Sequence, residues 1–269
     1  MGRLSGECRV KSRFGPAALV TGASDGIGRA FAEALAAQGF DLVLVARRET
    51  VLQALARDLA DRHGVTVDVI AGDLSAPGTV ADILERTART PVGLLVASAG
   101  FGSIGPFLSQ DAASEASMVD VNCRSVVELT HGLVTRMART GEGGVVLLSS
   151  ISAFSGAPYS STYTATKGFV QCFAEGIAIE LRPLGISVLA VAPGPVSSGF
   201  AARAGMLAGR AETPETVARV ALAALQRGGT VRPGILAKLL GWMLVVLPRW
   251  GRVRIMAQIK KGEIAKAKA

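Results

Sequence analysis

Short unbroken apolar runs alternate with helix-period segments along most of this chain, and that alternation limits its fold more than any other feature. Ala17–Thr21, Leu42–Ala46, Val65–Ala71, Leu94–Ala97, Val145–Ser149 and Ile186–Val191 read as strands. Between them lie helix patterns at Ile27–Gln38, around Val51, Leu52, Leu55 and Leu59, and at Thr79–Arg89, Ala112–Arg139, Thr162–Leu181 and Pro214–Gln226. Ile27, Ala30, Phe31, Ala34 and Leu35 share one face of the first helix, and Gly39 ends it. Strand–helix alternation of this kind predicts right-handed crossovers and a parallel sheet wound on both sides. The runs are continuous rather than alternating, as strands covered on both faces require. Ligands in such sheets sit beyond the carboxyl ends of the strands, and every motif below falls at one of those ends.

The formal charge of +8 could suggest a nucleic-acid partner, so its distribution matters. Residues 232–269 carry nine basic residues against Glu263, and residues 1–13 carry four against Glu7, which leaves the stretch between at −3. The basic character belongs to the two ends, whereas a duplex-reading surface puts it on a folded face. No nucleic acid is expected. We divide the chain into a flexible basic extension (1–13), one catalytic domain (14–231) and an apolar, basic extension (232–269). Three dispersed cysteines, Cys8, Cys123 and Cys172, suggest no disulfide framework. The first residues show no apolar core of a signal peptide, so a cytoplasmic protein is expected. His63 and His131 stand alone on helix patterns, and no metal site is expected.

The turn Thr21-Gly22-Ala23-Ser24-Asp25-Gly26-Ile27-Gly28 joins the first strand to the first helix. Gly22 permits the tight turn, Gly26 allows close approach of a pyrophosphate, and Gly28 lets the helix lie on the sheet. Helix-start N–H groups then face the anion, so Gly22, Ser24, Asp25, Gly26, Ile27 and Gly28 are read as cofactor-binding. The segment resembles the T-G-x-x-x-G-x-G loop of the short-chain dehydrogenase/reductase family. A Rossmann-type doubly wound parallel sheet of about seven strands in a single domain follows from that likeness.

The second strand ends Val45-Ala46-Arg47-Arg48. An acid there would hold a ribose 2′-hydroxyl, whereas a guanidinium fork suits a 2′-phosphate. Arg47 and Arg48, helped by Ser24, therefore argue for NADP(H); a merely solvated basic corner is the alternative. The resemblance assigns Asp73 to the adenine amino group, although it could equally cap the turn near Ser75.

Ser150, Tyr163 and Lys167 form the sharpest constellation. Tyr163 and Lys167 are four apart, so one helix face carries both, and Ser150 follows a strand end. Reduction of a ketone needs hydride at carbon and a proton at oxygen. A free phenol, with a pKa of about 10, is a poor base. An ammonium within ~4 Å favours phenolate by about 4 kcal/mol at an effective dielectric of 20, roughly three pKa units. Ser150 would bond the carbonyl oxygen. The set resembles the family's Ser … Tyr-x-x-x-Lys signature, and Asn122 matches the asparagine that holds a water in its proton relay. By the same likeness, Pro193 and Gly194 form the P-G turn, and the Val196 backbone and Ser198 hydroxyl hold the nicotinamide carboxamide. Where the family reads Asn-Asn-Ala-Gly, this chain reads Ala97-Ser98-Ala99-Gly100. Ala99 and Gly100 still leave room for a cofactor, but two side chains that brace the sheet are replaced.

Ile235–Leu247 is almost wholly apolar and is followed by Arg249, Arg252, Arg254, Lys260 and Lys261. It is too short to span a bilayer. It reads either as a helix over the substrate mouth or a subunit face, or as a peripheral membrane contact with Trp242 and Trp250 at headgroup level. This tail is similar to the ketoacyl/hydroxysteroid reductase branch. The expected protein is an NADPH-dependent reductase of a ketone, 3-oxoacyl or other hydrophobic carbonyl, or catalyses the reverse alcohol oxidation with NADP, and forms a homodimer or homotetramer. A catalytically idle NADP(H) sensor or scaffold is the competing reading, motivated by the altered 97–100 segment; a sugar epimerase fits the loop spacing less well.

Overall fold

The computed structural model describes residues 8–199, 211–234 and 247–267. Seven parallel strands run β1 (Ala17–Thr21), β2 (Asp41–Ala46), β3 (Val67–Ala71), β4 (Val92–Ala97), β5 (Gly143–Leu148), β6 (Ile186–Val191) and β7 (Gly229–Val231). Their spatial order is β3-β2-β1-β4-β5-β6-β7. The order reverses between β1 and β4, which opens the crevice where such sheets bind ligands.

Helices cover both faces. Alternate residues of β1 show how the two cores divide: Ala18 and Val20 pack with Phe31 and Leu35 of α2 (Gly26–Ala36), Leu52 and Leu59 of α3 (Glu49–His63), and Val217 and Leu222 of α8 (Pro214–Ala224). Leu19 faces the other way, toward Ile83 of α4 (Thr79–Arg86), Leu129 and Leu133 of α6 (Ser125–Thr140), and Val170 of α7 (Ser161–Leu181). All of these side chains are buried, each of those larger than alanine contributing about 1.5–3 kcal/mol of transfer free energy. Thr213 starts α8 by accepting the Thr216 N–H at 3.2 Å, with Pro214 in the first turn.

Three details depart from the sequence expectations. The N-terminal extension, expected to be flexible, is helical over Cys8–Phe14 (α1), because Val10 and Phe14 bury against the domain. The long helix expected over Ala112–Arg139 is α5 (Ala112–Val119) and α6, separated by a π turn at Asp120–Arg124. A short β7 extends the sheet by pairing with β6. Of the apolar stretch Ile235–Leu247, residues 235–246 lie outside the described residues; α9 (Arg249–Ala267) follows it.

Candidate active site

The glycine turn sits at the reversal of strand order. Gly22 has φ +69°, and its N–H donates to the Val45 carbonyl at 2.8 Å. A Cβ at Gly22 would lie 2.9 Å from the Ala99 Cα. Gly26 has φ +54°, and a Cβ there would meet the Ser198 Cβ at 3.0 Å. Asp25 makes no side-chain cap on α2, so that side chain does not occupy the donors that open the helix. The turn is therefore pressed between the segment after β4 and the 193–198 segment, too closely for side chains at Gly22 or Gly26.

Thr21 belongs to the site although sequence reasoning did not select it. Its buried hydroxyl accepts the N–H groups of Ser98 at 3.1 Å and Ala99 at 3.0 Å. This pair ties the end of β1 to the end of β4, where this chain has Ala97-Ser98 in place of the family's two asparagines. A β-branched hydroxyl at the last residue of the first strand was the available signal.

At the end of β2 the two arginines differ. Arg48 donates to the Ser24 carbonyl at 3.0 Å and to its hydroxyl at 3.1 Å, and so holds the glycine turn. The Arg47 side chain is 70% exposed and lies 3.8 Å from Asp73. Asp73 Oδ1 accepts the Ser75 N–H at 2.9 Å and its hydroxyl at 2.8 Å. Partial burial pushes the Asp73 carboxyl up, but Ser75 and Arg47 outweigh it and hold the group below its ordinary range. Arg48 is thus bonded to the glycine turn, while Arg47 makes a looser contact with Asp73 at the same strand end. Arg47→Asp is expected to reverse the preference between NADPH and NADH by roughly 10²-fold in kcat/KM, through loss of charge-assisted bonds and gain of repulsion. An unchanged ratio would remove Arg47 from the phosphate site.

Ser150, Tyr163, Lys167 and Asn122 converge beyond β4 and β5. Ser150 caps a 3-10 turn over Ile151–Phe154, and its oxygen accepts from the Ser152 N–H at 3.2 Å and hydroxyl at 3.0 Å. A further hydrogen bond links Ser150 to Tyr163. Asn122 lies in the π turn, buried, with its amide clamped on the Phe101 backbone at 3.1 and 2.9 Å. A Cβ at Gly100 would sit 2.9 Å from Asn122 Oδ1 and 3.5 Å from Lys167 Nζ. The adjacent residues Ala99 and Gly100 therefore touch the glycine turn on one side and Lys167 on the other.

The electrostatics differ from the sequence expectation. Lys167 Nζ donates to the Leu148 carbonyl at 2.7 Å and lies 5.8 Å from the Tyr163 ring centroid. Burial pushes the phenol up to about 12, and the Ser150 hydrogen bond only partly opposes it. Burial also pulls Lys167 down to about 8, with Cys123 acting the other way. Without a cofactor, desolvation outweighs ammonium–phenolate attraction, so the phenol is held protonated rather than activated.

Beyond β6, Pro193 accepts the Ile151 N–H at 3.0 Å, joining the P-G turn to the Ser150 loop, with Gly194 next in the chain. Val196 bridges Glu212, and Ser198 faces Gly26. The C-terminal helix reaches the same loop, where Arg252 donates to the Phe154 carbonyl at 3.4 Å, and Arg232, just past β7, stacks 4.5 Å from the Phe154 ring centroid. Among the described residues, no group of three metal-ligating side chains comes together.

Comparison with known proteins shows the family. Residues 16–206 match the family model described as short chain dehydrogenase. The chain is 37% identical over 184 residues to the uncharacterized oxidoreductase YmfI of Bacillus subtilis, covering 68% of this chain and 76% of that one. It is 34% identical over 187 residues to the very-long-chain 3-oxoacyl-CoA reductase of Podospora anserina, covering 67% of this chain and 54% of the relative. The structure of a short-chain dehydrogenase from Sphingobium yanoikuyae in complex with NADPH aligns with a TM-score of 0.78 at 30% identity, covering 87% of this chain and 97% of the other. A glycine cradle at the strand reversal, a Ser–Tyr–Lys–Asn cluster beside it and a family match over most of the domain lead to one assignment: this chain belongs to the short-chain dehydrogenase/reductase family.

Proposed function

We propose that the protein is an NADPH-dependent reductase of a ketone, 3-oxoacyl or other hydrophobic carbonyl, with Tyr163 as its proton donor, or the corresponding alcohol dehydrogenase. The observation that carries this reading is the Ala99-Gly100 junction, which brings the glycine turn and Lys167 to one mouth of the sheet. The chain is an oxidoreductase of the CH–OH class, and its cofactor is NADP(H). Gly22, Gly26 and Gly28 with the start of α2 would hold the pyrophosphate, and Arg47 the 2′-phosphate. Ala99, Gly100, Pro193, Gly194, Val196 and Ser198 would flank the nicotinamide.

When bound, NADPH would supply the hydride that the carbonyl carbon takes up in reduction, and NADP+ would take it back in the reverse direction. Ser150 donates a hydrogen bond to the carbonyl oxygen, and Tyr163 gives that oxygen its proton, so the product is the neutral alcohol. A phenol held near 12 is protonated at neutral pH, the state that reduction requires. Lys167, as ammonium, lowers the energy of the phenolate left behind. That ammonium titrates near about 8, so kcat/KM for reduction should be level below pH 7 and fall through about pH 8. A profile level to pH 10 would contradict a cationic role for Lys167.

The direct test is NADPH oxidation with a panel of aliphatic, steroidal and 3-oxoacyl ketones. Tight NADPH binding with no turnover of any carbonyl would favour the idle sensor instead. Exposed Phe169 and Ile179 on α7 support a homo-oligomer, and exposed Trp250 beneath Arg254 supports peripheral contact with a membrane on its cytoplasmic side. Among the described residues no helix is long and apolar enough to cross a membrane. Light scattering reads the first. Flotation of the full chain against residues 1–231 on anionic vesicles reads the second, and equal flotation removes it.

A further inference from the structure

We propose that Thr166 is a positioning residue for this reaction: its hydroxyl locks the Asn122 amide and, through it, the backbone at Phe101 beside Tyr163 and Lys167. The inference rests on the reductase reading for its kinetic consequence, though not for its geometry. Thr166 lies between Tyr163 and Lys167 in α7 and is buried, as is Asn122. The Thr166 hydroxyl donates its single proton to the Tyr163 carbonyl at 2.7 Å. Its oxygen can then only accept, and it accepts from Asn122 Nδ2 at 3.0 Å.

That commitment fixes which way the amide faces. Nδ2 gives one hydrogen to Thr166 and the other to the Phe101 carbonyl at 2.9 Å, while Oδ1 accepts the Phe101 N–H at 3.1 Å. A flipped amide would set oxygen against two acceptors and nitrogen against a donor, so one orientation satisfies all three partners. Oδ1 sits at Gly100, the same residue that Lys167 approaches. The Thr166 carbonyl also receives the Cys123 thiol at 3.8 Å, a second tie between α7 and the π turn. Thr166 thus couples three things by hydrogen bonds: the carbonyl of Tyr163, the π turn and the wall after β4.

Thr164 supplies a control within the same helix. It is also buried, but its hydroxyl has no hydrogen-bond partner among the described residues. A buried hydroxyl in α7 is therefore not by itself evidence of a role; the partners of Thr166 are.

The experiment compares Thr166→Val, Thr166→Ser and Thr164→Val with wild type. Turnover at saturating NADPH is measured from pH 6 to 10, with NADPH affinity by fluorescence. Thr166→Val should lose about 10- to 100-fold in kcat, the range expected when a reacting group is misplaced by about 1 Å. Its NADPH affinity should stay within about threefold, because the glycine cradle is untouched. Thr166→Ser, which keeps the hydroxyl, should stay within about threefold in kcat, as should Thr164→Val. Equal activity of Thr166→Val and wild type overturns the proposal, and so does an equal loss in Thr166→Ser. A wild type that turns over no carbonyl overturns the reductase reading instead. The lock is then judged by NMR of the Asn122 side-chain NH2 protons, which should be protected from solvent exchange in wild type and Thr166→Ser. Rapid exchange of those protons in wild type overturns the proposal even if Thr166→Val does not fold.

Discussion

Tyr163→Phe is expected to reduce NADPH-dependent carbonyl turnover by at least about 10³-fold while leaving NADPH affinity within about threefold. The substitution removes one oxygen and keeps the ring, so α7 and its packing should survive. What disappears is the phenolic hydroxyl that is hydrogen-bonded to Ser150, and general acid catalysis of this kind contributes about 10²–10⁴-fold. Loss of the same hydroxyl also removes a ligand for the substrate oxygen, which places the effect in the upper part of that range. An independent readout needs no substrate. The chain has two tyrosines, and Tyr163 should ionise only near about 12 in cofactor-free protein. Ultraviolet titration of wild type minus Tyr163→Phe should isolate that late step. A variant that keeps a tenth or more of wild-type turnover would show that another group delivers the proton.

How far these features could be read in advance depended on whether they were local. Strands covered on both faces announce themselves as unbroken apolar runs, so β1, β2, β4 and β6 were legible almost residue by residue. β5 begins earlier than its valines suggest, at Gly143, because glycine carries no strand signal. β7 has three residues and exists only through its pairing with β6. The π turn at Asp120–Arg124 was hidden because one inserted residue rotates a helix by only about 100°, and residues on both sides of it stay buried. α1 did carry a signal, the i, i+4 pair Val10 and Phe14, but the surrounding charge masked it. The pairing of Tyr163 with Lys167 came from helical spacing and Ser150 from its place past a strand end, while Asn122 came only from the resemblance to the family. Their electrostatics could not, since the position of the ammonium is decided by the Leu148 carbonyl and the height of the phenol pKa by burial. Thr21 and Thr166 were missed for a related reason: a hydroxyl acquires meaning only from its partners, and those lie 77 and 44 residues away.

Gly28→Ala is the second large effect, and it tests the cofactor end of the crevice as Tyr163→Phe tests the chemical end. A single methyl usually favours a helix over glycine by about 1 kcal/mol. Here it would fall inside contact distance of the Gly22 carbonyl oxygen, 2.7 Å from that carbonyl carbon and 3.0 Å from the Thr21 carbonyl oxygen. All three are backbone atoms. Gly22 is pinned by its bond to Val45 and pressed against Ala99, so the strain can be relieved only by lifting the start of α2 from the sheet. Overpacking of this kind costs about 1–3 kcal/mol, which for a chain of this size lowers Tm by roughly 2–12 °C. The same displacement moves the helix-start N–H groups off the pyrophosphate, so NADPH affinity should fall about 10²-fold. Gly176→Ala in α7 separates this from a general intolerance of alanine, because a Cβ there meets nothing within 4 Å, and its Tm should hold or rise slightly. If Gly28→Ala keeps wild-type Tm and NADPH affinity while Gly176→Ala behaves the same way, α2 is not seated on the glycine turn and the cofactor cradle described above is wrong.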